Sequence, residues 1–485
     1  MVALKAPRPG LPGSTGASRA VVIGASIAGL IAARVLSDHV DEVVLVDRDA
    51  ITGHDAARPG IPQASHLHLL LRRGHRELVR LYPALDGHLA SAGAPVVDLL
   101  RDGVWIMPGG EAPRFPSGLR TRSATRTLFE SSIRDLTLRR PNIRLLDGHE
   151  VTGLLGDAAT VRGVVLRARP EPRGPSAQAE RVDDPPRLDT DRLRLDAWLV
   201  IDASGRSSRA PEQLAAIGAP ALEETVIDAS LRYATRHYRL RRDASRDWRA
   251  LLIRDRPPSG TRAGVAMQVE GERWVVTLSG AGVDQPPTDE AAFLDFARDL
   301  ISPRLYHAIR DAEPLSPVRG WARTANRWRH VERVRWPAGF SVMGDALCAL
   351  NPVYGQGMSV AAMEGAVLMS WLASADVQRA RRTGATPDTG RLVRSSAHAA
   401  RLPWFLATSE DSRIGGVTGV PAPGTREKVA RRYVDAVLSQ AMDDRLTLHR
   451  FSEVTNLVRP PIALLDPRVV GRIVVRGIRA RSGRA

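Results

Sequence analysis

The segment from residue 20 to residue 47 restricts the fold more than any other part of the sequence. Residues 20–23 are apolar, residues 24–36 have the pattern of a helix, and residues 42–46, apolar after Glu42, read as the next strand. A strand, a helix and a second strand at this spacing predict a βαβ unit. The chain therefore opens, after a short leader, as an α/β protein with a Rossmann-like domain.

A glycine-rich turn joins the first strand to the helix. It contains Gly24, Ser26 and Gly29, which is the dinucleotide fingerprint with a serine in place of the middle glycine. The glycines allow a tight turn and close packing of helix on strand, and the start of the helix can receive a pyrophosphate. Asp47 ends the second strand, where a carboxylate can accept hydrogen bonds from ribose hydroxyls. Arg48 follows it and is included among the predicted cofactor-binding residues. This motif predicts a nucleotide site but does not separate NAD from FAD.

A second motif lies far along the chain. Residues 340–343 read as a strand that leads into Gly344 and Asp345, followed by Pro352, Gly355, Gly357 and a helix from Met358. A carboxylate at the end of this strand can bind ribityl hydroxyls, and the glycines let the backbone approach a flat ring. The positive start of the helix suits the negative charge of a reduced flavin. Together the two motifs predict an FAD site.

Four segments carry a resemblance to a known family: residues 60–68 (GIPQASHLH), 202–206 (DASGR), 351–359 (NPVYGQGMS) and 404–408 (WFLAT). With the two motifs, they resemble FAD-dependent monooxygenases of the aromatic-hydroxylase and squalene-epoxidase superfamily, and within it the bacterial FAD epoxidases of polyether antibiotic biosynthesis. The resemblance covers about residues 19–410. Cys348 stands where aromatic hydroxylases often have histidine, and residues 202–205 replace their adjacent Asp-Gly pair.

The resemblance implies both chemistry and contacts. Arg126 would touch the phosphate or ribityl part of FAD, and Val151 would meet the adenine through its backbone. Reduced FAD and O2 would give a C4a-hydroperoxide that transfers one oxygen atom to an alkene of a polyketide or isoprenoid intermediate. No protein side chain is then needed as the catalytic group. Electrons would come from NAD(P)H, either directly or through a separate flavin reductase.

Three other flavin functions stay open: aromatic hydroxylation, reduction of isoprenoid double bonds as in geranylgeranyl reductases, and a cyclisation in which FAD has no redox role. The candidates for lining a substrate pocket for an apolar alkene or aromatic molecule are His66, His68, Tyr354 and Trp404. On a strand, the two histidines would face the same way. No spacing indicates a metal site or a hydrolytic triad.

The predicted organisation is a disordered tail (1–18), an FAD-binding domain (19–215), an inserted, mostly antiparallel substrate sheet (216–335), a return segment of the FAD domain (336–375) and a helical C-terminal region (376–485). Strand 231–240 and a hairpin over 263–278, turning at Glu270 and Gly271, define the inserted sheet. Residues 170–192 read as a polar surface excursion.

The net charge of +16 comes almost entirely from arginine, with Lys5 and Lys428 the only lysines. With 5% aromatic residues and no known recognition motif, the chain is not expected to bind nucleic acid. The alternative outside the enzymes is an arginine-rich protein that binds nucleic acid or a membrane and holds no cofactor. The single cysteine, Cys348, favours a reducing, cytoplasmic setting. Residues 468–484 can form an amphipathic helix, for which membrane contact is not expected.

Overall fold

A computed structural model describes residues 18–51, 53, 58, 60–169, 192–241, 246–257, 260–421 and 424–482. The predicted tail and almost all of the predicted polar excursion (residues 170–191) lie outside these ranges.

The strands of the described residues are, in chain order, β1 (Arg19–Ile23), β2 (Glu42–Val46), β3 (Val96–Asp98), β4 (Gly103–Met107), β5 (Gly110–Glu111), β6 (Arg120–Arg122), β7 (Ile143–Leu146), β8 (His149–Gly156), β9 (Val161–Ala168), β10 (Arg192–Asp196), β11 (Leu199–Asp202), β12 (Glu224–Ile227), β13 (Leu231–Arg239), β14 (Ala250–Arg254), β15 (Ala263–Gln268), β16 (Trp274–Ala281), β17 (Glu313–Pro314), β18 (Arg319–Trp321), β19 (Asn326–Arg329), β20 (Phe340–Val342) and β21 (Cys348–Ala349).

The α-helices are α1 (Ile27–Leu36), α2 (Arg72–Leu81), α3 (Leu85–Ser91), α4 (Arg126–Leu138), α5 (Ala210–Ala216), α6 (Glu290–Arg298), α7 (Arg304–Ile309), α8 (Gly357–Leu372), α9 (Ala375–Thr383), α10 (Gly390–Asp411), α11 (Thr425–Ala441), α12 (Arg445–Thr455) and α13 (Pro467–Ser482).

A parallel five-stranded sheet in the order β20-β11-β1-β2-β7 forms the centre of the nucleotide-binding fold. Strands β1, β2, β11 and β20 are mostly buried, as expected for a parallel sheet covered on both faces, whereas the edge strand β7 is only partly buried. Helices α1, α4 and α8 pack together with one face of it, and Ile31 of α1 lies against Gly365 of α8. The predicted βαβ unit, strand 340–343 and helix from Met358 are confirmed to within two or three residues at their ends.

A second, eight-stranded sheet has the order β17-β13-β16-β15-β14-β4-β5, with β18 also paired to β13. All of its pairings are antiparallel except β14 with β4. The predicted hairpin is β15–β16, and its turn uses the left-handed conformation at Gly271 (φ 66°). This sheet also takes β4 and β5 from the segment that the sequence assigned to the first FAD-binding stretch.

Smaller sheets connect the two large ones. Strands β12, β19 and β21 form one antiparallel sheet, β8, β9 and β10 another, and β3 pairs with β6. The C-terminal region is helical, from α9 to α13. Among the described residues no single helix is long and apolar enough to cross a membrane, although the bent pair α8 and α9 passes that test when the two are taken together.

Candidate functional site

The two glycine-rich motifs meet at one cavity of about 330 Å³, at the carboxyl ends of the central parallel strands. This is the edge at which open parallel sheets bind ligands. Eleven of the predicted cofactor residues line it: Gly24, Ser26, Asp47, Arg48, Arg126, Val151, Asp345, Pro352, Gly355, Gly357 and Met358. Gly29 is the predicted residue that does not line the cavity.

Gly29 instead sets the distance between helix and strand. A Cβ atom at this position would lie 1.7 Å from the carbonyl oxygen of Gly24. Gly24 itself has φ +98°, and a Cβ there would lie 2.7 Å from the carbonyl oxygen of Ala203, just after β11. Both positions therefore exclude a side chain, and the turn packs closely against the sheet at the edge of the cavity.

The second motif forms the opposite wall. Gly344 (φ +65°) and Gly355 (φ +64°) adopt left-handed backbone conformations. The position of a Cβ at Gly357 lies 3.7 Å from Oδ1 of Asp345, so that carboxylate sits beside the start of α8. A helix start offers unpaired N–H groups and a partial positive charge. A negatively polarised ring edge and a polyhydroxylated chain would both find partners here.

Asp47 takes part in a buried network at the start of α1. Its Oδ2 accepts a 2.6 Å hydrogen bond from Ala25 N–H and lies 2.7 Å from Arg58 Nη2, while Oδ1 accepts from Asp49 N–H at 2.9 Å. Arg58 also reaches Glu130 at 2.7 Å. The carboxylate is held rigidly, and its remaining lone pairs are what a ribose hydroxyl would use.

Arg126 and Ser26 lie on the other side of this network. Arg126 Nη2 donates to Ser26 Oγ at 2.8 Å, and that hydroxyl donates to Glu130 Oε2 at 2.8 Å. Arg126 Nε is buried with no hydrogen-bond partner among the described residues, and so is Oε1 of Gln356, which also lines the cavity. Buried polar atoms of this kind are rarely left unpaired. The unpaired N–H of Arg126 and two turns whose glycines let the backbone come close to a ligand both fit a bound dinucleotide.

The two candidate histidines face different ways, because residues 66–71 form no strand and follow a 3₁₀ turn over Pro62–Ser65. His66 turns to the large sheet, where its Nδ1 lies 2.9 Å from Thr235 Oγ1 and its ring meets Tyr233 edge-on at 4.8 Å. Burial, with smaller contributions from Arg319 and His237, lowers the pKa of His66 to about 4. His66 does not line the cavity itself, but its ring lies 5.8 Å from that of Trp321, which does.

His68 does line the cavity. Its Nδ1 lies 2.9 Å from the carbonyl oxygen of His66, which can only accept, so Nδ1 carries the proton. Burial first, and then the nearby Arg126, lower the pKa of His68 to about 3. The ring is therefore neutral at physiological pH, with Nε2 as a hydrogen-bond acceptor.

The structure does not bring Tyr354 and Trp404 to the cavity. Tyr354 donates a 2.6 Å hydrogen bond from its hydroxyl to Asp411 Oδ1. Trp404 packs edge-on against Trp328, with ring centroids 5.4 Å apart, as part of the apolar core. Cys348 is buried there too, and burial raises the pKa of its thiol well above the usual value. Among the described residues no group of acidic, histidine or cysteine side chains could hold a metal ion.

Sequence reasoning missed several polar residues of the site. Arg58 and Glu130 complete the Asp47 network, and Glu364 of α8 accepts a 2.6 Å hydrogen bond from Gly344 N–H beneath the second motif. Asp202 could have been found, because it ends β11 next to β1 at the same sheet edge. It fixes the Ser204 turn by accepting from the backbone N–H of Ser204 at 2.8 Å. The others lie on helices or irregular segments without a local motif.

Comparison with known proteins agrees with this geometry. A family model described as an FAD binding domain matches residues 17–384. The protein Rv3254 of Mycobacterium tuberculosis is 28% identical over 473 residues, covering 95% of this chain and 94% of that protein.

Solved structures share the fold. A flavoprotein/dehydrogenase of Cytophaga hutchinsonii has a TM-score of 0.63 at 13% identity, covering 96% of this chain and 100% of that one. The p-nitrophenol 4-monooxygenase PnpA of Pseudomonas putida has a TM-score of 0.60 at 15% identity, covering 90% and 99%. A triple mutant of the flavin-dependent brominase Bmp2 has a TM-score of 0.61 at 15% identity, covering 93% and 98%. The chain belongs to the FAD-binding domain family and has the fold of FAD-dependent monooxygenases and halogenases.

Proposed function

We propose that the protein is an FAD-dependent monooxygenase that epoxidises an alkene of a polyketide or isoprenoid intermediate. One observation carries the proposal. Two of the segments that resemble the polyether epoxidases, residues 60–68 and 351–359, come together at the cavity, where His68 and Gly355 both line it. The position of a Cβ at Gly355 lies 2.7 Å from the Cβ of Leu69, the residue that directly follows the first segment, so the two stretches of chain lie side by side.

FAD fits the residues present, since Arg126, the start of α8 and two glycine turns line one cavity, and the Nε–H of Arg126 is buried without a hydrogen-bond partner among the described residues. When reduced, FAD would supply the activation of O2 from which one oxygen atom reaches the alkene. In this proposal Arg126 and the N–H groups at the start of α1 hold phosphate, Asp47 holds ribose and Asp345 holds the ribityl chain.

The protein's own contribution is binding, orientation and exclusion of water. His68 holds its proton on Nδ1 and offers Nε2 as an acceptor, so it orients a donor group of the cofactor or substrate without adding a positive charge. Tyr233 and Trp321 are paired across β13 and β18 of the large sheet and both contact the ring of His66, and Trp321 also lines the cavity. These aromatic side chains would offer an alkene or an aromatic ring an apolar surface to pack against, beside the charged residues that line the rest of the cavity.

The direct test is product analysis. The purified protein, loaded with FAD and supplied with NAD(P)H, is incubated with a panel of polyenes and phenols, with and without an added flavin reductase. Under isotopically labelled O2 we expect a polyene product heavier by one labelled oxygen atom, and none from Asp345→Ala. Bromide and chloride are present in a parallel set. Oxygen-independent products, phenol products alone or halogenated products alone would each overturn the epoxidase proposal, and the last two would indicate hydroxylation or halogenation.

A further inference from the structure

Four polar side chains form a closed buried network behind the cavity. Asp411 Oδ1 accepts a 2.6 Å hydrogen bond from the hydroxyl of Tyr354, and its Oδ2 accepts one of the same length from Asn326 Nδ2. Asn351 Nδ2 donates to both oxygens, at 3.2 and 3.1 Å. Asn351 N–H in turn donates to Asn326 Oδ1 at 2.7 Å. Three donors therefore converge on a single carboxylate.

The members of this network come from three different parts of the chain. Asn326 begins β19, Asn351 and Tyr354 belong to the second motif, and Asp411 is the last residue of α10. Asp411 and Asn326 are fully buried and Asn351 is 1% exposed. Water cannot replace a lost partner at such positions, so each missing bond has its full cost.

The network fixes the part of the second motif that faces the cofactor. Asn351 Oδ1 accepts from Val353 N–H at 3.2 Å and so caps the short turn Pro352–Tyr354. Pro352 directly follows Asn351 and Gly355 directly follows Tyr354, the two loop residues that Asp411 holds, and both line the cavity. The loop is thus tied at both ends of its turn, through Asn351 and through Tyr354, to the same carboxylate.

A charged pair from the large sheet adjoins this carboxylate. Arg254, at the end of β14, donates to Glu410 Oε2 at 3.0 Å, next to Asp411 in the chain. The end of α10 is thereby joined both to the substrate-side sheet and to the loop. Asp411 lies beyond residue 384, where the family match ends.

We propose that Asp411 is a positioning residue that sets the geometry of the loop 351–355, and through it the affinity for FAD and the rate of oxygen transfer. The part concerning affinity needs only FAD binding, whereas the part concerning rate rests on the proposed function. The C-terminal helical region thus belongs to the cofactor site although none of its side chains has to touch the cofactor.

The test is a double-mutant cycle with Asp411→Asn, Tyr354→Phe and both together. Asparagine at position 411 has the shape of aspartate but places an NH₂ group among the three donors that face it. Tyr354→Phe removes only the tyrosine hydroxyl, which is one of those donors. We expect FAD to dissociate at least tenfold more readily from Asp411→Asn and about threefold from Tyr354→Phe. The double variant should be no weaker than Asp411→Asn alone, since the two changes break the same bond. Asp376→Asn, an exposed acid in the first turn of α9, is the control and should match the parent protein.

Three readouts separate positioning from general destabilisation: the FAD dissociation constant, the flavin absorbance bands at saturating FAD, and the thermal unfolding of the apoprotein. We expect shifted flavin bands in both single variants, and a lower kcat with little change in KM if oxygen transfer is observed. Additive effects, or unchanged affinity and bands in Tyr354→Phe, would overturn the proposal. If the parent protein oxidises no alkene but the variants still bind FAD more weakly, the result overturns the proposed function and leaves the positioning role of Asp411 supported.

Discussion

The carbonyl oxygen of Gly24 occupies the place of a side chain on Gly29: a Cβ atom there would lie 1.7 Å from that oxygen. Backbone cannot move away cheaply in a turn whose other side abuts Ala203. We therefore expect Gly29→Ala to lower the free energy of unfolding by about 1–3 kcal/mol, as other overpacked sites do, and to weaken FAD binding. Thermal unfolding and FAD titration measure the two effects.

Gly87→Ala is the matched control, because nothing lies within 4 Å of a Cβ at that position of α3. Alanine is the better helix former by about 0.5–1 kcal/mol, so this variant should be slightly more stable. A Gly29→Ala protein as stable and as yellow as the Gly87→Ala protein would contradict the close packing.

The carboxylates of the two motifs should behave differently when removed. Asp345→Ala should release FAD and leave the apoprotein as stable as before, because Asp345 faces the cavity. Asp47→Ala should release FAD and also destabilise the apoprotein by about 3–5 kcal/mol. The substitution removes one carboxylate from a buried ion-pair network, so Arg58 keeps its pair with Glu130 but loses its pair with Asp47. Flavin absorbance after gel filtration and denaturant unfolding of both apoproteins test this, and retention of FAD by both variants would refute the site.

His66 should make stability depend on pH. Its pKa is about 4 in the folded protein, whereas an exposed imidazole has a pKa of 6.5. Between these values the unfolded chain holds more protons, so stability is complete above pH 6.5 and falls as the pH drops towards 4, by on the order of 3 kcal/mol for this shift. His66→Gln should make that part of the pH profile less steep but not flat, because the pKa of His68 is also lowered, to about 3. His398→Gln, an exposed histidine of α10, should leave the profile unchanged.

Trp404 and Trp321 offer a comparison of equal substitutions. Trp404 packs on Trp328 away from the cavity, so Trp404→Phe should lower stability by about 0.5–3 kcal/mol and leave kcat/KM within about twofold. Trp321 lines the cavity, so Trp321→Phe should change KM for the organic substrate. Steady-state kinetics of both variants test this prediction. A larger change in kcat/KM for Trp404→Phe than for Trp321→Phe would show that Trp404 contributes to the substrate pocket.

The nucleotide-binding core could be predicted from sequence because its signals are local. The turn Gly24–Gly29 and the motif around Asp345 each carry their chemistry within a dozen or so neighbouring residues, and the strands beside them are continuous apolar runs. The hairpin β15–β16 could also be predicted, since two largely apolar runs flank one glycine turn.

What could not be predicted depends on contacts between distant segments. Asp411 is one acid near the end of a helix, and nothing around it in the sequence indicates Asn326, Asn351 and Tyr354 as partners. The same holds for Arg58 with Glu130. The direction of His68 depends on a 3₁₀ turn followed by irregular backbone, where the two-residue period of a strand does not apply. Strands β4 and β5 join the large sheet through pairing with β14, which lies more than a hundred residues later.

The order of the central sheet has a consequence for how the protein is made. Strand β20, at residues Phe340–Val342, pairs with β11 at Leu199–Asp202, and the glycine-rich loop that completes the cofactor site follows it directly. During synthesis, β1, β2, β7 and β11 leave the ribosome long before their remaining edge can be covered. The edge of β11 stays unpaired while six of the eight strands of the large sheet, β13 to β18, are translated, so in this interval a nascent chain is open to mispairing at that edge.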